Sequence, residues 1–292
     1  VYSFSLLLLL IVPIDGFSME EKWGADSWLR VPVIGTFQPS ELSKIGLILV
    51  VSFVLEDMAE KRITKKRGFL YLALVYAPHM VMILIQQKDF GTGMVIVFSF
   101  ICILFIWGLK YRYFFLGVSS VIIAAPFVWN FYFSAIQKKR ILSLLFSGSD
   151  PEAEYNLNQA KSAIASGGIA GNTSGTVVSV PVKESDFIYT AISEHMGFIG
   201  TTAVIILSFM FLMRCLYVAS KATQKAYSYA IIGLTAGFAF HYIENMGMCV
   251  GLLPITGIPL PFISLGGSAL LVNFISLGII LSISMERNLG NK

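Results

Sequence analysis

The sequence predicts an all-α, polytopic membrane protein of about eight transmembrane helices with one long extracytoplasmic loop. Three observations carry that expectation. Hydrophobic residues make up 56% of the 292-residue chain and charged residues only 13%, where soluble domains run near half and about a quarter. The apolar residues stand in continuous runs rather than alternating faces, as a hydrocarbon layer about 30 Å thick requires. Lysine and arginine gather in connectors that fall on one side of the membrane when the runs alternate. A water-soluble globular domain is excluded, and mean hydropathy, at +0.76, agrees.

The runs lie at residues 2–14, 42–55, 69–85, 93–109, 113–133, 198–218, 227–240 and 264–284. LLLLLIV opens the first, but VYSFS lacks the basic n-region of a signal peptide and Val12-Pro13-Ile14-Asp15 lacks a small-residue cleavage site. A membrane helix cut by the start of the chain is expected there. The connector EDMAEKRITKKRG holds Lys61, Arg62, Lys65, Lys66 and Arg67; Lys110 with Arg112, Lys221 with Lys225, and Arg287 with Lys292 follow on the same side. That side is predicted to be cytoplasmic. The opposite face then carries residues 15–38, 86–89, 135–186 and 245–263. Lys138, Lys139 and Arg140 depart from the charge rule, from which long translocated loops are exempt.

The interval 135–186 is the polar part of the chain, SGSDPEAEYN followed by NQAKSAIASGGIAGNTSG. Its glycine-rich half permits close backbone approach to a ligand; a flexible surface loop is the plainer alternative. Cys102, Cys215 and Cys249 stand singly inside apolar runs, which suits core packing rather than a disulfide or metal site. The net charge of +4 is small and dispersed, so no nucleic-acid partner is expected. No Walker loop, dinucleotide-binding glycine pattern, HExxH or GxSxG motif is present, and ATP-driven chemistry is unsupported. No internal repeat is evident, which weakens an inverted-repeat transporter. The whole chain, 1–292, reads as one transmembrane domain.

Four stretches follow one another along the chain: FQPSELSK (37–44), QQKDFGTG (86–93), VPVKESDFIY (180–189) and NMGMCVGLLPITGIPLPFISLGGS (245–268). In order and spacing they resemble the SEDS family (shape, elongation, division and sporulation), whose members include RodA, FtsW and SpoVE. The resemblance implies a peptidoglycan glycosyltransferase that polymerises lipid II on the outer face of the bacterial plasma membrane. It implies a class B penicillin-binding protein as partner, which crosslinks the strands. It also implies ten transmembrane helices, so this sequence is expected to begin at the third, either as a fragment or as a shortened gene product. Elongation, division and sporulation remain open as roles. So do two rival functions, a flippase for lipid-linked precursors and a non-catalytic scaffold for a penicillin-binding protein.

Asp186, within Ser185-Asp186-Phe187, matches the aspartate that the family carries in a Thr-Asp-Phe context, and the resemblance assigns it as general base. Read from the residues, a carboxylate beside Phe187 and Ile188 at a membrane boundary is partly withdrawn from water, a setting suited to accepting a sugar hydroxyl proton. One carboxylate suffices because the leaving pyrophosphate is already a stable anion. An N-cap for the following helix is the alternative. Pyrophosphate departure calls for positive charge or a divalent cation, magnesium or manganese. Lys183, Lys88 and Arg30 are the outward candidates, each better read as an ordinary interfacial cation than as a ligand contact, and none is assigned the role.

Glu41 and Lys44, three apart, share a helix face and can pair within the membrane. The family has an equivalent pair lining a cavity; a purely structural ion pair is the alternative. Asp89 matches the aspartate of the family's Gln-Pro-Asp-Leu-Gly-Thr motif, with Lys88 in place of proline, and helix capping accounts for it too. Gly257, Pro259 and Pro261, then Ser264, Gly266, Gly267 and Ser268, cannot form a uniform helix. They predict a bent outer segment that lines protein or water, with Ser264, Gly266 and Gly267 as substrate-facing candidates. Leu265 stands for the family's tyrosine and His241 for its glutamine. Glu244 is an added carboxylate beside Asn245, and His195 follows Glu194 where a second acid is common. His241, His195 and His79 are expected to be hydrogen-bonded packing residues.

Overall fold

The computed structural model describes residues 1–12, 27–31, 35–131, 133, 138–139, 141–142, 149–173, 175 and 177–290. The Val12 to Asp15 reading therefore lies outside the described residues beyond its first member, as do Arg140 and Lys292. The chain forms two compact units, one of Val1–Ile103, Ile206–Tyr242 and Ile258–Lys292, the other of Leu104–Ile205 and Ile243–Gly257.

In the first unit α1 (Tyr2–Ile11) is followed by a short antiparallel hairpin, β1 (Leu29–Val31) and β2 (Gly35–Phe37), with Leu29 opposite Phe37 and Val31 opposite Gly35. The hairpin delivers Gln38 to the start of α2 (Pro39–Ala59), where Pro39 needs no backbone donor and Glu41 suits the positive helix end. α2 is enclosed on nearly every side: Ile45, Leu47, Val51 and Leu55 are buried, and so are Glu41, Lys44 and Glu56. α3 (Lys65–Met80) contains Pro78 and passes into a π-helical stretch, Val81–Gln86. Pro78 offers no N–H to the Leu74 carbonyl one turn earlier, and the helix widens only after it. α4 (Phe90–Trp107) is capped by Asp89, whose Oδ1 accepts the Thr92 N–H at 3.0 Å. Leu9, Leu47, Ile83 and Ile96 close one core between these helices.

The first unit also takes most of α8 (Lys225–Val250) and all of α9 (Gly267–Gly290). The Ala226 N–H, one of the orphan donors at the start of α8, reaches the buried carboxylate of Glu56 at 3.0 Å. After α8 the chain turns through Ile258 to Gly266 without regular helix. Phe262, at φ +64, anchors that segment in an aromatic group with Phe211, Phe238 and Phe274, ring centroids 5.3–5.5 Å apart.

The second unit holds α5 (Tyr111–Phe131), α6 (Pro151–Ser166) and the first part of α7 (Ile188–Ser220). α6 lies inside the interval expected to be loop. Asp150 caps it by accepting the Ala153 N–H at 3.2 Å, with Pro151 in the first turn and Glu152 and Glu154 behind it. The glycine-rich residues after α6 approach α7 and not a vacant surface. Phe198 and Ile199 donate to the carbonyls of Gly168 and Ile169 at 2.9 and 3.1 Å, and Asn172 donates to Glu194 O at 2.8 Å. These bonds occur where α7 breaks at Gly197, φ +63. A side-chain carbon at Gly167 would meet Ser193 O at 1.9 Å, and one at Gly171 would meet His195 O at 2.3 Å. Close backbone approach is thus what the glycines provide, but toward the protein's own chain.

The chain is an integral membrane protein. Among the described residues five stretches are long and apolar enough to cross a bilayer: Lys65–Gln86, Phe90–Trp107, Tyr111–Phe131, Ile188–Ser220 and Gly267–Glu286. Of the eight runs read from the sequence, α1 is only 10 residues long. α2 and α8 carry buried charged and polar groups, Glu41, Lys44 and Glu56 on one, His241, Glu244 and Asn245 on the other. Helices shielded by protein need not match lipid along their length.

Candidate functional site

In the second unit the turn before α7 presents Asp186. Val182, at φ +53, places its carbonyl to accept the N–H groups of Ser185, Asp186 and Phe187 at 3.1–3.3 Å. Phe187 drives this turn inward, packing with Ala160, Ala163, Val180, Tyr189, Met248 and Cys249. Asp186 itself is half-buried. Its carbonyl accepts Asn245 Nδ2 at 2.8 Å. Gly257, at φ +74, lies against its carboxylate: a side-chain carbon there would stand 3.2 Å from Oδ2. Glu244, 3% exposed, accepts a hydrogen bond from Thr256 Oγ1.

Lys183 is engaged within the same unit. It donates to the buried carboxylate of Glu194 and, at 3.2 Å, to Val178 O, while Glu194 Oε1 accepts the Val178 N–H at 2.7 Å. The pair staples residues 178–183 onto α7. Arg30 falls in β1, opposite Thr36.

In the first unit Lys44 and Glu41 form a buried ion pair at 2.8 Å. Lys44 Nζ also lies 3.0 Å from His241 Nε2, and His241 Nδ1 lies 3.1 Å from Pro259 O. An ammonium only donates, so Nε2 accepts and the ring proton sits on Nδ1, donating to Pro259. His241 is thus hydrogen-bonded as expected, and its partner is the charged pair. A glutamine side chain would offer the same pairing of one acceptor and one donor. Beside this network lies a cavity of about 30 Å³ lined by Lys44, Ser99, His241, Asn273 and Ser276 among apolar residues, room for about one water.

Asp89 joins two of the sequence motifs. Its Oδ2 accepts from Gln38 Nε2 at 2.8 Å and Ser40 Oγ at 3.1 Å, while Oδ1 caps α4. Lys88 adopts φ +52, a conformation closed to proline. Ser264 closes a tight turn, its Oγ accepting the Leu260 N–H at 2.8 Å. Gly266 O accepts the Leu270 N–H at 2.8 Å at the start of α9, and Gly267 has open space about it. His79 is buried against Ser5 and Tyr2, whereas His195 is exposed.

Residues 1–289 match the family model of the FtsW, RodA and SpoVE proteins, described as cell cycle proteins. The chain belongs to this family. Among its relatives, the peptidoglycan glycosyltransferase MrdB of Escherichia coli K12 is 34% identical over 301 residues, covering 100% of this chain and 79% of MrdB. Stage V sporulation protein E of Bacillus subtilis is 32% identical over 291 residues, covering 97% and 77%. Two solved structures agree in fold. A chain from a peptidoglycan synthase complex that coordinates polymerization and crosslinking superposes with a TM-score of 0.81 at 27% identity, over 98% of this chain and 80% of that one. The rod shape determining protein RodA of Thermus thermophilus gives 0.68 at 26%, over 98% and 77%.

In this FtsW, RodA and SpoVE protein the sequence motifs carry Asp186, Glu41, Lys44 and Asp89, and folding brings their partners: Asn245 and Gly257 against Asp186, Gln38 and Ser40 on Asp89, His241 on Lys44, and Thr256 on Glu244. Glu244 carried a signal of its own, a carboxylate inside an apolar helix. Thr256 carried none, because a threonine in a turn is ordinary.

Proposed function

We propose that this protein is a peptidoglycan glycosyltransferase that polymerises lipid II at the outer face of the bacterial plasma membrane, with Asp186 as general base. The observation that carries the reading is the setting of Asp186: half-buried, held through its carbonyl by Asn245, its carboxylate bounded by the backbone of Gly257. Such a carboxylate stands on a tethered backbone and is partly withdrawn from water, a setting suited to accepting a proton. The 4-hydroxyl of the acceptor sugar gives its proton to Asp186 as its oxygen bonds to the donor's anomeric carbon. The bond from that carbon to the lipid pyrophosphate breaks, and the pyrophosphate leaves with the electron pair. Names of the relatives and the family membership support the same activity.

Among the described residues no three His, Cys, Asp or Glu side chains converge on a metal position. A magnesium or manganese ion would accompany the pyrophosphate, taking most ligands from phosphate and water and neutralising the departing charge. A class B penicillin-binding protein is the partner proposed, in line with the synthase complex that the fold resembles.

Polymerisation of purified lipid II tests the reading. Asp186→Asn should lower turnover by about 10²-fold or more. Equal activity in that variant would defeat the base assignment, and lipid transport without polymer in the wild type would favour a flippase.

A further inference from the structure

Two consecutive residues of α8 reach the two sides of Asp186. Asn245 holds its backbone, donating to the carbonyl at 2.8 Å. Glu244 holds the wall beside its carboxylate: Thr256 Oγ1 donates to Glu244 Oε1, and the next residue, Gly257, turns at φ +74 to lie against Asp186 Oδ2. Gly257 is exposed and glycine is conformationally permissive, so nothing in that residue fixes its own position. The Thr256 hydroxyl does, and its acceptor is a carboxyl only 3% exposed on a helix. Glu244 Oε2, also buried, has no hydrogen-bond partner among the described residues. A carboxyl retained in such a place with half its acceptor capacity unused is there for the bond it does make.

We propose that Glu244 and Thr256 are positioning residues, which set the direction of the Asp186 carboxylate by pinning the Thr256–Gly257 turn against it. Neither touches the sugar or the pyrophosphate. They act through Asp186, and the inference rests on the reading of Asp186 as the base. The bond needs a hydroxyl donor at 256 and a side-chain oxygen acceptor at 244, with no requirement for charge. Serine at 256 and glutamine at 244 therefore preserve it, while the near-isosteric valine and leucine remove it. A misdirected base slows the chemical step and leaves the lipid and pyrophosphate contacts intact, so turnover falls while KM holds. Displacement of a reacting group by about 1 Å is enough to cost on the order of a hundredfold.

Steady-state polymerisation of fluorescent lipid II by the purified protein, with thermal unfolding measured alongside, tests this. Thr256→Val and Glu244→Leu should each lower kcat by about tenfold to a hundredfold, with KM within about twofold and unfolding midpoints near that of the wild type. Thr256→Ser and Glu244→Gln should stay within about threefold of wild type on both constants. Wild-type kcat in Thr256→Val overturns the proposal. So does a loss in Thr256→Ser as large as in Thr256→Val. A loss in Glu244→Gln matching that of Asp186→Asn would make Glu244 a proton carrier in its own right and also overturns it. Failure of the wild type to polymerise, or full activity in Asp186→Asn, would instead defeat the reading on which the proposal stands.

Discussion

At the residue scale, the Lys44–Glu41 pair shows how a charge is kept inside a membrane protein. Lys44 is 7% exposed and Glu41 3%, and each offsets the other's loss of water. Removing one partner leaves the other stranded, which costs about 3–5 kcal/mol in buried pairs, whereas replacing both is far milder. Lys44→Met is therefore expected to lower the unfolding midpoint in detergent more than the double variant Glu41→Leu/Lys44→Met. A single variant as stable as wild type would remove the pair from the stability account. Lys88 gives a second test. At φ +52 a non-glycine residue carries about 1–3 kcal/mol of backbone strain, so Lys88→Gly should raise the midpoint. Lys88→Pro, whose ring cannot reach that angle, should lower it sharply. The residue types at this scale were legible in the sequence: Asp186, Asp89 and the i, i+3 spacing of Glu41 and Lys44 could be named before any contact was known. Their holders were not, because Asn245 and Thr256 come from segments distant along the chain and only folding brings them to Asp186.

Among the elements, α6 and the break in α7 are the features that hydropathy did not show. The start signal for α6 stands in the sequence, Asp150-Pro151-Glu152, a cap followed by proline and an acid. Its helix is nearly neutral in hydropathy and is flanked by serine and glycine, so a period-based reading leaves it as loop. The glycines that follow were legible as residues permitting close approach, but the sequence does not say what approaches. The structure answers with the backbone of α7, at Gly167 and Gly171. Gly167→Ala and Gly171→Ala should each loosen this seam, read as faster amide exchange over residues 188–200 and lower polymerisation. Gly278→Ala, where nothing lies within 4 Å, serves as the neutral control. Unchanged exchange in both seam variants would show that the glycines are incidental.

For the molecule as a whole, five spans were legible because lipid-facing helices must be apolar along their length. α2 and α8 obey a looser rule: each carries charged and polar residues that are buried within the protein, Glu41, Lys44 and Glu56 on α2 and His241, Glu244 and Asn245 on α8. The distribution of lysine and arginine assigns an orientation that labelling can test. In a Cys102→Ala background, a membrane-impermeant maleimide applied to intact cells stripped of outer layers should modify Glu152→Cys and spare Lys66→Cys, both exposed positions. The reverse pattern would put Asp186 on the cytosolic side and end the proposed polymerase.

None of the 21 residues of α5 is buried. A helix of that length extends about 31 Å, close to the thickness of the hydrocarbon layer. Its angle is therefore set by lipid more than by side-chain packing, and hydrophobic mismatch acts on it directly. Nanodiscs of short-chain lipid should increase the tilt of α5, measured by oriented spin-label spectra, while α2, enclosed by protein, holds its angle. Acyl-chain length then becomes an experimental control on one helix of this protein, independent of any mutation.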